Sequence, residues 1–308
     1  MEVHDRLEHC GDTLCVALSE FATSLAATAP ALAQVGRSAL GDLADRRKGA
    51  TRLFPFKLLG ALGVGLGRGL PIAVLSSLWW SGFERLGQAH SLHAQRRAMT
   101  ALILLPQLYL DSVPVTTRRR EQWRAELNVS TVRATNRVLS AMPPHPLVVT
   151  RDYALAYHVA VHGAGYARDA AMVGAVLPGV ETTSLQHFGS AYGLLMGLAA
   201  DRASSLPPLL LLAHAFAGTG ADRDKLARLR RESTTSPAAR VALNELAHSR
   251  FAVRTYNEDV ESLRCRVLGM LADVMKPGVF RAVLQEEVQA AAQAASCKDG
   301  QTVLSNAG

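Results

Sequence analysis

Along most of this chain apolar residues recur every three to four positions, the period of a helix with one buried face. Prolines and glycine clusters cut the pattern at intervals, so they mark the ends of separate helices. The pattern predicts helices over 12–44, with Pro30 opening a second one, and over 53–65, 71–87, 94–111, 151–176 and 182–204. It continues over 207–217, 221–233, 237–249, 251–275 and 278–296, and it reads 120–141 as an exposed helix. Gly60, Ala61 and Gly63 predict a very close helix contact. No period-two run is long enough for a strand, and no tandem repeat stands out. Ala and Leu dominate a composition that is 49% hydrophobic and 6% aromatic, which favours close-packed helices over sheets. The expected fold class is all-α. A single large bundle of roughly ten to thirteen helices is expected over residues 1–298, followed by a polar tail at 299–308.

The formal charge of +7 attracts anions such as acidic lipid, nucleic acid or diphosphate. The arginines do not gather into one tract and no aromatic-interleaved basic module appears, so nucleic acid is not an expected partner. Cys10, Cys15, Cys265 and Cys297 match neither a zinc pattern nor a disulfide framework. They point to free thiols in a reducing compartment, cytoplasmic or organellar. Glu2, Asp5 and Glu8 precede the first apolar run and argue against a signal or transit peptide. A membrane span needs about 20 unbroken apolar residues. Here the stretch 53–80 is interrupted by Lys57 and Arg68, and 206–218 by Pro207, Pro208 and His214. A soluble protein is expected, with peripheral contact between a greasy surface and a membrane left open.

Several local patterns follow one another in order. Thr51-Arg52-Leu53-Phe54-Pro55 precedes an apolar helix, and the segment 71–83 leads to Leu86-Gly87-Gln88-Ala89-His90 and then to Arg96-Arg97. His162-Gly163-Ala164 stands ahead of Val173-Gly174-Ala175. Phe188-Gly189 and Gly193-Leu194-Leu195-Met196-Gly197 precede Ala200-Asp201-Arg202-Ala203-Ser204, and Ser205-Leu206-Pro207-Pro208-Leu209 follows. In order and spacing, over 45–275, this set resembles the trans-isoprenyl diphosphate synthases (polyprenyl synthetases), helical enzymes that extend prenyl chains. The resemblance implies an isoprenoid synthase-like fold. It also implies that Arg52 stands in an anion clamp whose Lys and second Arg are here Thr51 and Phe54. Arg96 and Arg97 fall where an arginine pair grips an allylic diphosphate, and His162 replaces a diphosphate-binding Lys. The two Asp-rich clusters of the family fall on Leu86, Gly87 and His90 and on Ala200 and Asp201. Only Asp201 keeps a carboxylate.

Prenyl transfer begins when an allylic diphosphate ionises, and Mg²⁺ held by carboxylates neutralises the departing pyrophosphate. With those ligands replaced and only Glu84 nearby, the chain alone is not expected to be an active Mg-dependent prenyltransferase. No catalytic residue and no cofactor are assigned, Mg²⁺ entering only through a catalytic partner or an unrecognised site. The resemblance then implies a non-catalytic, regulatory or supporting subunit of a heteromeric prenyl diphosphate synthase, with a catalytic homologue as partner and a prenyl diphosphate as ligand. The alternative is an atypical terpene synthase or prenyl-binding protein. In that reading Trp79, Trp80, Tyr153, Tyr157, Phe188 and Tyr192 line an apolar cavity and stabilise a carbocation. Core packing is the plainer role for these rings.

Other constellations carry less. His158 and His162, one helical turn apart, would need His90 and His93 to complete a four-histidine metal site; polar pocket residues are the plainer reading. The glycines of 65–69 lack the preceding strand of a phosphate-binding loop and read as a turn. The basic run 116–120 reads as a solvated loop.

Overall fold

The computed structural model describes residues 2–44, 51–88, 91–141, 147–177, 179–203, 206–218 and 220–297. Among them every regular element is helical, as the apolar period requires. In chain order these are α1 (Val3–Ala26), α2 (Pro30–Ala44), α3 (Phe54–Ala61), α4 (Leu70–Gln88), α5 (Leu92–Ser112), α6 (Thr117–Ala141) and α7 (Arg151–His158). There follow α8 (Ala164–Gly174), α9 (Thr182–Arg202), α10 (Leu209–Phe216), α11 (Gly220–Glu232), α12 (Pro237–Ala247), α13 (Arg250–Val274) and α14 (Val279–Ala295). A 3₁₀ turn, Leu66–Gly69, precedes α4. The charged break at 46–49 and the tail at 299–308 lie outside the described residues.

Local chemistry sets the helix starts. Ser91, Thr150 and Ser236 each accept a hydrogen bond from a first-turn backbone N–H, of Ala94, Tyr153 and Ala239 respectively, all at 3.2 Å. Pro237 then occupies the first position of α12, where its missing N–H would have had no helical partner.

Two features depart from the sequence reading. The expected helix 151–176 contains one π turn, Val159–Gly163, between α7 and α8. A π turn inserts one residue into the ladder and shifts the face that every later residue presents. The segment 120–141, read as exposed, begins at Thr117 and buries Trp123, Leu127, Ser130 and Ala134. Their spacing of four, three and four is a helical stripe diluted by arginines on the other faces. Its anchor is Trp123, whose Nε1 donates to the Met172 carbonyl at 3.2 Å.

The chain divides into two compact units. The first comprises Met1–Thr135, Ala164–Gly189 and Met270–Gln285. Within it α1 packs on α2 and α4 on α5. The close contact expected around Gly60 is made by Phe280: a Cβ on Gly60 would lie 2.5 Å from that ring. The second unit comprises Asn136–Gly163, Ser190–Gly269 and Glu286–Gly308. There Asn257 clips the backbone just after α14, its Nδ2 donating to the Cys297 carbonyl and its Oδ1 accepting from the Cys297 N–H, both at 2.9 Å. No helix among the described residues is long and apolar enough to cross a membrane.

Candidate functional site

In the first unit, Arg52 and Arg168 are both fully buried. Arg52 Nη2 donates to Glu84 Oε1 at 3.1 Å, and its guanidinium carbon lies 5.8 Å from the centre of the Trp80 ring. Arg168 turns back on its neighbour, Nε and Nη2 donating to Asp169 Oδ1 at 2.9 and 2.6 Å. Ser76 closes the group. Its hydroxyl donates to Asp169 Oδ2 at 2.6 Å and accepts from Arg168 Nη2 at 3.2 Å. Burial pushes the Asp169 carboxyl above its ordinary range against the pull of Arg168 and Ser76, and it lowers Arg168 against the pull of Asp169. A charged pair with no exposed atoms must be matched internally, because its hydration is lost.

Aromatic rings surround these charges. The Arg168 guanidinium lies 4.4 Å from the Trp79 ring centre, and Trp79 stacks on Phe83 at 5.0 Å. Trp80 meets Trp79 edge-on at 5.1 Å and Tyr166 at 5.7 Å. Gly165 makes room for it, since a Cβ there would overlap the indole. Phe188 lies face to face with Phe54 at 6.4 Å. Trp79, Trp80 and Phe188 are thus parts of one packed aromatic core. Leu86 is buried beside them in sequence, Gly87 lies near the end of α4, and His90 is outside the described residues. Arg96 and Arg97 stand exposed on the first turns of α5.

In the second unit, the retained Asp201 sits near the end of α9, in register after Ala200. Its Oδ2 accepts from the Leu209 N–H at 2.7 Å, which caps α10 where Pro208 supplies no side-chain acceptor. The same oxygen stands 3.3 Å from His158 Nε2. His158 and His162 lie 6.1 Å apart with nearly parallel rings, the π turn beginning between them. Burial, reinforced by the neighbouring His158, lowers the His162 pKa to about 4, so the ring is uncharged at neutral pH. Tyr192 is buried and donates its hydroxyl proton to Glu287 Oε2 at 2.9 Å. Tyr157 meets His158 edge-on at 5.5 Å.

The chain therefore brings Arg52 against Glu84, and His162 and Asp201 against His158, while Arg96 and Arg97 remain in solvent. The sequence reading passed over Arg168 and Asp169. A signal existed: they are the only charges in α8, whose other residues are small or apolar. Among the described residues no group of three or more His, Cys, Asp or Glu is arranged to hold a metal ion.

No protein-family model matches this chain, and no curated protein matches its sequence. Solved structures do match its fold. The polyprenyl synthetase from Streptomyces coelicolor A3(2) aligns over 96% of this chain and 100% of its own, with a TM-score of 0.69 and 16% identity. The geranylgeranyl pyrophosphate synthetase from Pyrococcus horikoshii Ot3 covers 95% and 99%, at 0.73 and 13%. The geranylgeranyl pyrophosphate synthase from Corynebacterium glutamicum, solved with isoprenyl diphosphate and magnesium, covers 94% and 99%, at 0.70 and 14%. At these identities the likeness is one of architecture. This chain has the all-helical fold of the isoprenyl diphosphate synthases over nearly its whole length.

Proposed function

We propose that this chain is a non-catalytic, supporting subunit of a heteromeric prenyl diphosphate synthase. One observation carries the reading: both carboxylates left near the positions of the Asp-rich clusters are engaged by the protein itself. Asp201 caps α10 through the Leu209 N–H and faces His158, and Glu84 pairs with Arg52. Mg²⁺ takes carboxylate oxygens and water in near-octahedral geometry and binds poorly where the carboxylate is already committed. Leu86 and Ala200 offer no ligand, so the residues present do not fit the magnesium cage, and no step is derived through it.

The cationic side supports the same reading. Arg52 is internally paired in the core, and His162 is neutral, so two of the four expected diphosphate contacts lack a free charge. The carbocation reading relies on the aromatic residues. The rings of Trp79 and Trp80 pack on one another, and Trp79 packs on Phe83 and Arg168, which favours a role in the core for these two.

The purified chain, incubated with allylic and homoallylic diphosphates and Mg²⁺, is expected to release no pyrophosphate. Co-expressed with an Asp-rich synthase from the same cell, it is expected to co-purify and to change that enzyme's rate or product length. Turnover by the homogeneous chain alone would overturn the proposal.

A further inference from the structure

In the second unit one face of the long helix α13 stands uncovered. Phe251, Arg254, Glu258 and Glu261 recur every three to four residues and so share a single stripe, with Asn257 at its edge. Phe251 is 50% exposed. The side chains of Arg254 and Glu258 are 70% and 66% exposed and meet each other only at 3.7 Å. Glu261 is already paired to Arg264 at 2.6 Å, which leaves Arg254 and Glu258 as the charges this face offers. Arg254, Asn257, Glu258 and Glu261 line an open groove of ≈ 460 Å³, the size of a site for a small ligand or a few residues of extended chain. Asn257 shows how this edge of the helix meets such a chain. Its amide grips the Cys297 backbone through both the N–H and the carbonyl, as a neighbouring strand would.

That clip fixes the point from which the sequence continues. After Cys297 it reads Lys298-Asp299-Gly300-Gln301-Thr302-Val303-Leu304, which lies outside the described residues. A basic and an acidic residue come first, a glycine and two polar residues follow, and two apolar residues end the run. From Asn257 towards the start of α13 the stripe offers partners in the same order: Glu258 and Arg254 carry the opposite charges, and Phe251 supplies the apolar surface. The reach is sufficient. Asn257 and Phe251 are about 9 Å apart along the helix axis, whereas the seven residues from Cys297 to Leu304 can span about 25 Å. A segment tethered this closely meets the face at a roughly millimolar effective concentration, an advantage that a free peptide or a second copy lacks. We propose that this face of α13 docks the chain's own segment 298–304, with Lys298 against Glu258, Asp299 against Arg254, and Val303 and Leu304 on Phe251. The segment is a strap that covers the exposed ring.

Disulfide trapping in the full chain tests this. One variant carries Thr255→Cys, one turn from Phe251, and Ser305→Cys, next to Leu304, with Cys265→Ser to remove the exposed native thiol. A second carries Ser305→Cys alone and keeps Cys265, which lies on the same stripe towards the other end of α13. A disulfide needs its two Cα atoms within about 7 Å. On oxidation with diamide the first variant is expected to close within one chain about tenfold faster than the second, because docking concentrates the segment at one end of the stripe. Adding Phe251→Ala to the first variant is expected to slow closure roughly tenfold. Glu258→Lys is expected to slow it severalfold, and Lys298→Glu added to Glu258→Lys to restore it. Peptide mapping identifies the joined thiols, and thermal melts establish that each variant is folded. Equal rates for the first two variants would mean an undocked tether and overturn the proposal, as would indifference to Phe251→Ala and Glu258→Lys. Disulfides formed between two chains by Thr255→Cys alone would make a second copy the occupant and overturn it as well.

Discussion

Replacing Arg168 with Met tests whether the innermost charges of the first unit are structural. Asp169 has no exposed side-chain atoms and accepts three hydrogen bonds, two of them from Arg168. Without Arg168 the carboxylate keeps only the Ser76 hydroxyl, and breaking a buried ion pair from one side costs about 3–5 kcal/mol. That is a large share of the roughly 5–15 kcal/mol that holds a domain together. The flexible Met side chain can keep contact with the Trp79 ring, so most of the loss is electrostatic. In Arg168→Met/Asp169→Leu both charges are gone and the cost falls to about 1 kcal/mol or reverses, giving a coupling of at least ~2 kcal/mol. Burial already raises the Asp169 pKa, and losing Arg168 raises it further. A carboxyl whose folded pKa lies above its unfolded one binds its proton more tightly in the folded state. The single variant therefore regains stability as pH falls towards the unfolded carboxyl pKa and loses it as pH rises. Urea unfolding followed by tryptophan fluorescence reads all of this, since Trp79 lies against the guanidinium. A single-variant cost below about 1 kcal/mol, or penalties that simply add in the double variant, would refute the argument.

The second unit yields two further predictions. His162 stays neutral in the fold down to a pKa of about 4 but takes a proton near its ordinary value once unfolded. Stability should therefore fall as pH drops from about 6.5 to about 4, by at most about 3 kcal/mol because the ring is partly exposed; His162→Gln should flatten that stretch of a urea-midpoint profile, and an unchanged slope contradicts the assignment. Asp201→Ala removes the cap of α10 and should cost about 1–2 kcal/mol, a Tm loss of a few degrees, with Asp201→Asn recovering part of it through its amide oxygen. A Tm that stays put for Asp201→Ala would mean that the carboxylate is not engaged and remains available to a cation.

The helices were legible because apolar period and proline act locally: Pro30 marks a start that the backbone then adopts. The caps at Ser91, Thr150 and Ser236 fix their starts more finely than the period does. The buried face of α6 was obscured because six arginines and two glutamates are interspersed among its apolar residues, and only packing reveals which stripe turns inward. The π turn has no side-chain signature that a helical period would register. The charge cluster was hidden for a different reason. Arg168 and Asp169 are adjacent, a spacing that on a solvated helix brings no partnership, and the residue that completes them, Ser76, lies 92 positions away.

The same contrast separates what the resemblance could and could not imply. A motif read from sequence states which residue type occupies a position, and by that measure Asp201 and Arg52 look like survivors of a diphosphate and metal site. Their partners give them different work. A carboxylate that accepts an N–H at 2.7 Å beside an imidazole is a helix cap, and a buried arginine paired to Glu84 over an indole is a core ion pair. Residues held in this way contribute to stability where they stand, so a single added carboxylate does not release them. On the proposed subunit role, Leu86→Asp or Ala200→Asp alone is expected to give no prenyl transfer, because Asp201 and Glu84 would still face protein groups.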